Sequence, residues 1–378
     1  MGGHALKKVQ TIRLEKSDYE NVKHKIAELL APHIKIEFLY EVPNKKDFGD
    51  LDILYDISEN QNHIVIYDLV KELFHPKEIV KNGTVLSFSY LINEENDTYF
   101  QIDLIKSHNF RMDLFYYSYG DLGGILGRIT KYYGMSYGNA GLWINVESHL
   151  IEIYVEKNDK NKYDKNNDDF LLLPETQRVS KGVVSKSING KIMLTENPEE
   201  ICVYMGLDYE KWSSGFNNSE EIYDFVIESP FFQSKLFEVN SLNHEHMKRY
   251  NERHMYREFV HYVNLQNKKE EKERDKNKDY EALIYFHKIN ELEKLIEKNI
   301  LQNERKEKFN GHIIQEYIKR DFKKNTNKIG ENKELGIFII NFKNHILKNG
   351  NLYNTFEDYI DNNNKEKIEE DIIDFYNM

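Results

Sequence analysis

Phe48-Gly49-Asp50-Leu51-Asp52-Ile53-Leu54-Tyr55 is the stretch on which the reading of this chain turns. Along an extended strand, successive side chains point to opposite faces. Asp50 and Asp52 therefore share one face, and Leu51, Ile53 and Tyr55 share the other. Two carboxylates so close repel each other unless a cation lies between them, and hard oxygen donors at that spacing suit Mg²⁺. A second stretch, Tyr99-Phe100-Gln101-Ile102-Asp103-Leu104-Ile105, reads as an apolar strand interrupted by one carboxylate, which is costly to bury without a partner. If the two strands are neighbours, Asp103 completes a three-carboxylate site able to orient a triphosphate and activate a hydroxyl. Taken singly, each aspartate also fits turn chemistry or a bond to a loop amide. Taken together, they favour a metal, Mg²⁺ or Mn²⁺.

Working outward, the first third reads as mixed α/β. An amphipathic helix is expected over Tyr19 to Leu30, with strands at Ile34 to Phe38, Asp50 to Tyr55, Leu86 to Leu91 and Tyr99 to Ile105 and a helix at Ile64 to Leu73. Asp121 to Tyr133 turns helical again, with Asp121 as N-cap and Gly134 as the stop. Leu142 to Val155 alternates like a strand pair, and Asn189-Gly190 between Val183 to Ile188 and Lys191 to Leu194 is a hairpin signal. Glu156 to Asp169 is charged and Asn-rich, a solvated loop. Helices are expected at Glu199 to Met205, Ser219 to Ile227 and Tyr256 to Val263. After the polar run Asn267 to Lys278, the spacing of Phe286, Ile289, Leu292 and Ile296 opens a helical C-terminal region. The expected fold class is α+β, divided into residues 1–150 with the candidate catalytic site, 151–265 with a strand hairpin and short helices, and a helical part at 266–378.

Composition narrows the function classes. The chain has 378 residues, with 52 Lys+Arg against 64 Asp+Glu, a formal charge of −12. That balance argues against a whole-protein electrostatic grip on nucleic acid. No run approaches the roughly 18 apolar residues of a spanning helix, and the N-terminus lacks a signal-peptide core, so a cytoplasmic protein without membrane contact is expected. Leu6 stands where a myristoylation motif wants Ser or Thr. A single Cys202 excludes an intramolecular disulfide and a thiolate-built zinc site.

The Asp50-Leu51-Asp52 strand with a later Asp103, together with Gly2-Gly3, resembles the nucleotidyltransferase superfamily of polymerase-β-like fold. The run Lys46-Asp47-Phe48-Gly49-Asp50-Leu51-Asp52 and the opening Gly-Gly-His-Ala look like a divergent branch found in viral and lower-eukaryotic genomes. The likeness covers roughly the first 150 residues, and more loosely Met205-Gly206-Leu207-Asp208 and Ser213-Ser214-Gly215-Phe216. It implies a mixed sheet with helices and Mg²⁺-dependent transfer of a nucleoside monophosphate from an NTP, such as ATP, onto a hydroxyl of a nucleic acid, protein or small molecule. Asp50 and Asp52 would bind the metals, and Asp103 would bind the catalytic metal and draw the hydroxyl proton. The glycine turn that cradles phosphate lies far upstream of the Asp-x-Asp strand, unlike the usual pattern. Two readings stay open: Gly2-Gly3 folds back to the site, or Pro43 to Gly49 supplies amides, with Lys45 or Lys46 supplying charge.

Gly120-Asp121-Leu122-Gly123-Gly124-Ile125-Leu126-Gly127-Arg128 fits neither a Rossmann nor a Walker pattern; close helix packing explains its glycines, and Arg128 is a candidate phosphate contact. Asp164, Asn166, Asp168 and Glu175 fall at EF-hand positions, but Asp169 replaces the required glycine. His244-Glu245-His246 lacks zincin spacing and reads as surface. Two other classes remain: a two-metal nuclease, which would need Lys in place of Ile105, and an inactive nucleotidyltransferase fold kept as a binding or scaffold protein.

Overall fold

The computed structural model describes residues 4–56, 65–147, 149–151, 153–154, 190–265, 277–317, 333–348 and 352–378. The chain divides into two compact units, Met1–Asn145 with Met193–Ala282, and Val146–Ile192 with Leu283–Met378. The first is mixed α+β and the second helical.

The first unit is built on β1 (Gln10–Thr11), β2 (Leu14–Glu15), α1 (Lys16–Leu30), β3 (Lys35–Phe38), β4 (Asp47–Phe48), β5 (Asp50–Asp56), α2 (Ile66–Phe74), β6 (Ile79–Asn82), β7 (Val85–Asn93) and β8 (Thr98–Lys106). The main sheet runs β3-β5-β8-β7-β6. β5 and β8 are parallel, and the other neighbours in that order are antiparallel. β1 pairs in parallel with the start of β8, on the edge that β5 occupies further along, because β7 takes the other edge throughout. The short β2 and β4 form a separate antiparallel ribbon.

Alternation sorts the strand residues between two faces. One carries Leu51, Ile53, Leu86, Phe88, Phe100, Ile102 and Leu104, all buried against Tyr19, Val22, Ile26 and Leu30 of α1 and Leu69 and Val70 of α2. Each such side chain contributes about 1.5–3 kcal/mol by leaving water, so these two helices fix the sheet's apolar side. The other face changes character along the strands. At the C-terminal ends of β5 and β8, Leu54 and Ile105 pack beneath Phe110, Leu114 and Tyr117 of α3 (Phe110–Tyr117). Nearer the N-terminal ends the same face is polar, with Asp50, Asp52, Gln101, Asp103, Ser87 and Ser89.

α4 (Leu122–Tyr132) follows and ends, as the sequence predicts, at Gly134, whose φ of +80° suits glycine. Asp121 precedes α4 but makes no capping bond. Its buried carboxylate instead accepts from Arg253 Nη1 at 2.9 Å and Arg249 Nη1 at 3.4 Å, because a buried charge is better met by guanidinium than by a single amide. β9 (Met135–Gly138) and β10 (Gly141–Val146) form a hairpin. The expected strand pair over Leu142 to Val155 is thus half right: Leu142 to Val146 lies in β10, which pairs backwards with β9 as far as Ile144, and residues 149–151 are helical.

Helices Pro198–Met205, Ser219–Ile227 and His254–Leu265 lie where the apolar spacing predicts. The second unit is helical at Ile289–Lys308, Gly311–Tyr317, Lys333–Lys348, Phe356–Asn362 and Lys365–Asn377, around a core of Ile314, Phe342, Phe356, Tyr359, Ile360, Ile368 and Ile372. The predicted loop at 156–169, the EF-hand-like positions and the first arm of the Asn189-Gly190 hairpin lie outside the described residues, as does most of the polar run 267–278; Gly190–Thr195 is a strand.

The α4 glycines give a paired prediction. A Cβ on Gly123 would stand 2.2 Å from the Tyr116 carbonyl oxygen, whereas one on Gly127 meets nothing nearer than 3.7 Å. Gly123→Ala should destabilise by more than about 2 kcal/mol, an overpacking cost, and Gly127→Ala should stabilise by about 0.5–1 kcal/mol through helix propensity. Urea unfolding of the two variants checks both signs.

Candidate metal centre

The parallel pairing of β5 with β8 sets Asp52 opposite Asp103 and Asp50 opposite Gln101. On the other side of β8, Asp103 faces Ser87 and Gln101 faces Ser89. Two polar rows cross the sheet as a result: Asp52–Asp103–Ser87, and Asp50–Gln101–Ser89, which continues to Glu78 just before β6. There Ser89 Oγ accepts from the Glu78 amide at 3.0 Å.

The three aspartates named from sequence are brought together. One carboxylate oxygen from each of Asp50, Asp52 and Asp103 lies within 4.8 Å of the others, and all three side chains are half-buried. Burial and the neighbouring charges of Asp50, Asp103 and Glu41 push the Asp52 carboxyl well above the usual carboxylate range, with Lys45 offsetting part. Burial is also the chief force raising Asp103, to about 6. A hydrogen bond with Ser87 opposes it, the charge of Asp50 adds to it, and the Gln101 amide opposes it again. Three hard oxygen donors strained by mutual repulsion are the donor set a small divalent cation relieves. The residues present therefore fit Mg²⁺ or Mn²⁺.

The segment before β5 is braced by aromatic contacts. Tyr19 stacks on Phe48 at 3.9 Å between centroids, and its hydroxyl donates to Glu41 Oε1 at 2.9 Å. Lys45 Nζ lies 2.7 Å from Glu41 Oε2 and 4.6 Å from the centre of the Phe48 ring. Glu41, Lys45 and Phe48 line a cleft of about 680 Å³ that also takes in Lys16, Tyr40 and Phe216. This volume is in the range of small-molecule sites.

The other residues singled out from sequence fare differently. Gly49 is buried between β4 and β5, while Lys46 is exposed. Within Pro43 to Gly49, Asp47 and Phe48 are paired with β2. Arg128 donates from Nε to the Leu236 carbonyl at 2.7 Å and from Nη2 to the Ser241 carbonyl at 2.9 Å, so the guanidinium holds a turn of the chain. Of the glycines before it, Gly123 serves close packing, as read from sequence, and a Cβ on Gly124 would displace the end of Arg249, whereas Gly127 has room for a Cβ. Gly2 and Gly3 lie outside the described residues, but the chain just after them does not. Ala5 and Leu6 amides donate to Gln101 Oε1 at 2.9 and 3.4 Å, and Gln101 Nε2 donates to both oxygens of Asp103 at 3.0 and 2.9 Å.

Two buried groups escaped the sequence reading. Glu78 accepts from the Lys7 amide at 3.0 Å and the Lys8 amide at 2.7 Å. Burial works to raise its pKa, but the amides of Lys7, Lys8 and Val9 prevail and hold it below the ordinary glutamate value. His246, expected at the surface, is buried, with Nδ1 2.8 Å from the Tyr256 hydroxyl. Burial, aided by the charge of Arg128, lowers its pKa to about 4. Cys202 is buried with its thiol pushed up to about 12 by burial, which makes it unreactive.

Comparison with protein-family models and with curated proteins gives no match. The geometry of the acidic cluster therefore carries the functional reading.

The raised carboxyls give a signed pH prediction. A carboxyl whose folded pKa lies above its unfolded value contributes most to stability at low pH, and that contribution is lost as pH rises through the folded value. For Asp103 the window runs from about pH 4 to about pH 6, and Asp52 acts in the same direction. His246 has the opposite sign, costing stability as pH falls below about 6.5. The comparison that isolates the cluster is thus wild type against Asp52→Asn in chelator: the variant should be the more stable at pH 8, and its advantage should shrink at pH 5. Denaturant midpoints at the two pH values test this.

Proposed function

We propose that this chain is a metal-dependent nucleotidyltransferase that moves a nucleoside monophosphate from an NTP onto a hydroxyl acceptor. The observation that carries the reading is the meeting of Asp50, Asp52 and Asp103 on one face of adjacent parallel strands. Asp50, Asp52 and Asp103 would hold Mg²⁺, which when bound supplies charge neutralisation for the triphosphate. Asp103, set opposite Asp52 on the adjacent strand, would accept the proton of the attacking hydroxyl. The acceptor oxygen forms a bond to the α-phosphorus as the bond to the pyrophosphate oxygen breaks. The proton passes to Asp103, and pyrophosphate departs. The cleft beside Glu41, Lys45 and Phe48 has room for a nucleoside and aromatic surface for it.

A second reading, a binding or scaffold protein without turnover, is favoured by one observation. Two of the cations expected to meet phosphate are already engaged, Lys45 by Glu41 and Arg128 by two carbonyls. Incubation with each α-labelled NTP, Mg²⁺, RNA and cell extract separates the two. Transfer of label to an acceptor, reduced at least about 100-fold in Asp50→Asn and Asp103→Asn, is the expected result. Mg-NTP bound without transfer supports the scaffold reading instead.

A further inference from the structure

We propose that Gln101 is a positioning residue of the acidic site, and that through it cation binding is coupled to docking of the N-terminal segment, residues 4–9. The inference rests on the metal reading above and adds a device that governs it. An ionised carboxylate only accepts hydrogen bonds. Gln101 therefore turns its NH₂ toward Asp103, reaching Oδ1 at 3.0 Å and Oδ2 at 2.9 Å and so fixing the plane of the carboxylate. The same rotation aims Oε1 the other way, where it accepts from the amides of Ala5 and Leu6. Only 2 % of Gln101 is exposed, so water is a poor substitute for any of these partners.

The next residues of the segment are held by the same polar row. Lys7 and Lys8 donate to Glu78, itself 7 % exposed. Four consecutive backbone amides, Ala5 to Lys8, thus end on side chains of the sheet rather than on a neighbouring strand. Val9 adds a further bond to Glu78, and the chain then joins the edge of β8 as β1. Docking of the segment orders Gln101 from one side, and a cation on Asp103 orders it from the other. Each event prepares a side chain that the other needs, so the two are positively coupled, and the coupling is reciprocal.

Hydrogen–deuterium exchange of the full chain, with Mg²⁺ and with chelator, tests this at fixed pH, with Mg²⁺ affinity measured calorimetrically. We expect Mg²⁺ to slow exchange in the 4–9 segment by roughly 5-fold or more, the lower end of ordinary coupling between sites. Gln101→Leu should abolish the slowing and weaken Mg²⁺ binding. Glu78→Gln touches none of the aspartates, yet should also weaken Mg²⁺ binding through the loosened segment, an effect a purely structural contact would not produce. Should either variant fail to fold, the wild-type comparison decides alone. Mg²⁺ binding with unchanged exchange overturns the coupling and leaves the metal reading standing. Absence of Mg²⁺ binding by the wild type overturns both.

Discussion

The repulsion between carboxylates across the β5–β8 pair is the constraint around which the first unit is arranged. Parallel register sets Asp52 against Asp103, with Asp50 one step along the same face. Such a cluster costs stability in a folded chain unless something of opposite charge is gained there. Around it, Lys45 is shared with Glu41, and Gln101 and Ser87 offer Asp103 neutral hydrogen bonds. The apolar side supplies the compensation, as α1 and α2 bury an almost unbroken layer of Leu, Ile and Phe beneath the strands that carry the aspartates. A well-packed face thus supports a face that is electrostatically strained.

The same contrast separates the two kinds of buried charge in the molecule. Glu78 is buried and satisfied, because backbone amides converge on it and hold it ionised. Asp121 is buried and paired with two arginines. Asp52 and Asp103 have raised pKa values instead. Carboxylates perturbed by burial and by each other's charge, gathered at one spot, are candidates for a functional site, whereas paired ones hold the architecture.

Much of this was legible in the sequence, and what escaped did so for physical reasons. Period-two alternation announced β5, β7 and β8, and the apolar spacing of α1 announced its buried stripe, because each pattern is local. That β5 and β8 are neighbours is not local: they are separated by α2, β6 and β7, and the register that matches Asp52 to Asp103 is set by tertiary packing. α3 was missed because Phe-Arg-Met-Asp-Leu-Phe-Tyr-Tyr has apolar residues on all sides and no stripe. β1, β2 and β4, at two residues each, are too short to leave a pattern. The bonds of Arg128 to the Leu236 and Ser241 carbonyls were not legible, since they join residues more than a hundred positions apart. Gln101 was available: a glutamine two residues before Asp103 in an apolar strand lies on the same face and needs buried partners as much as the aspartate does.

The central claim is that Asp50, Asp52 and Asp103 form one cation site. A crystal structure of the protein with Mn²⁺ and a non-hydrolysable NTP, with an anomalous map, tests it most directly. The account predicts a peak among the three carboxylates, at about the 2.0–2.2 Å of hard-cation oxygen coordination, with the triphosphate as a further ligand. A map with nucleotide bound elsewhere and no peak at the aspartates would contradict it.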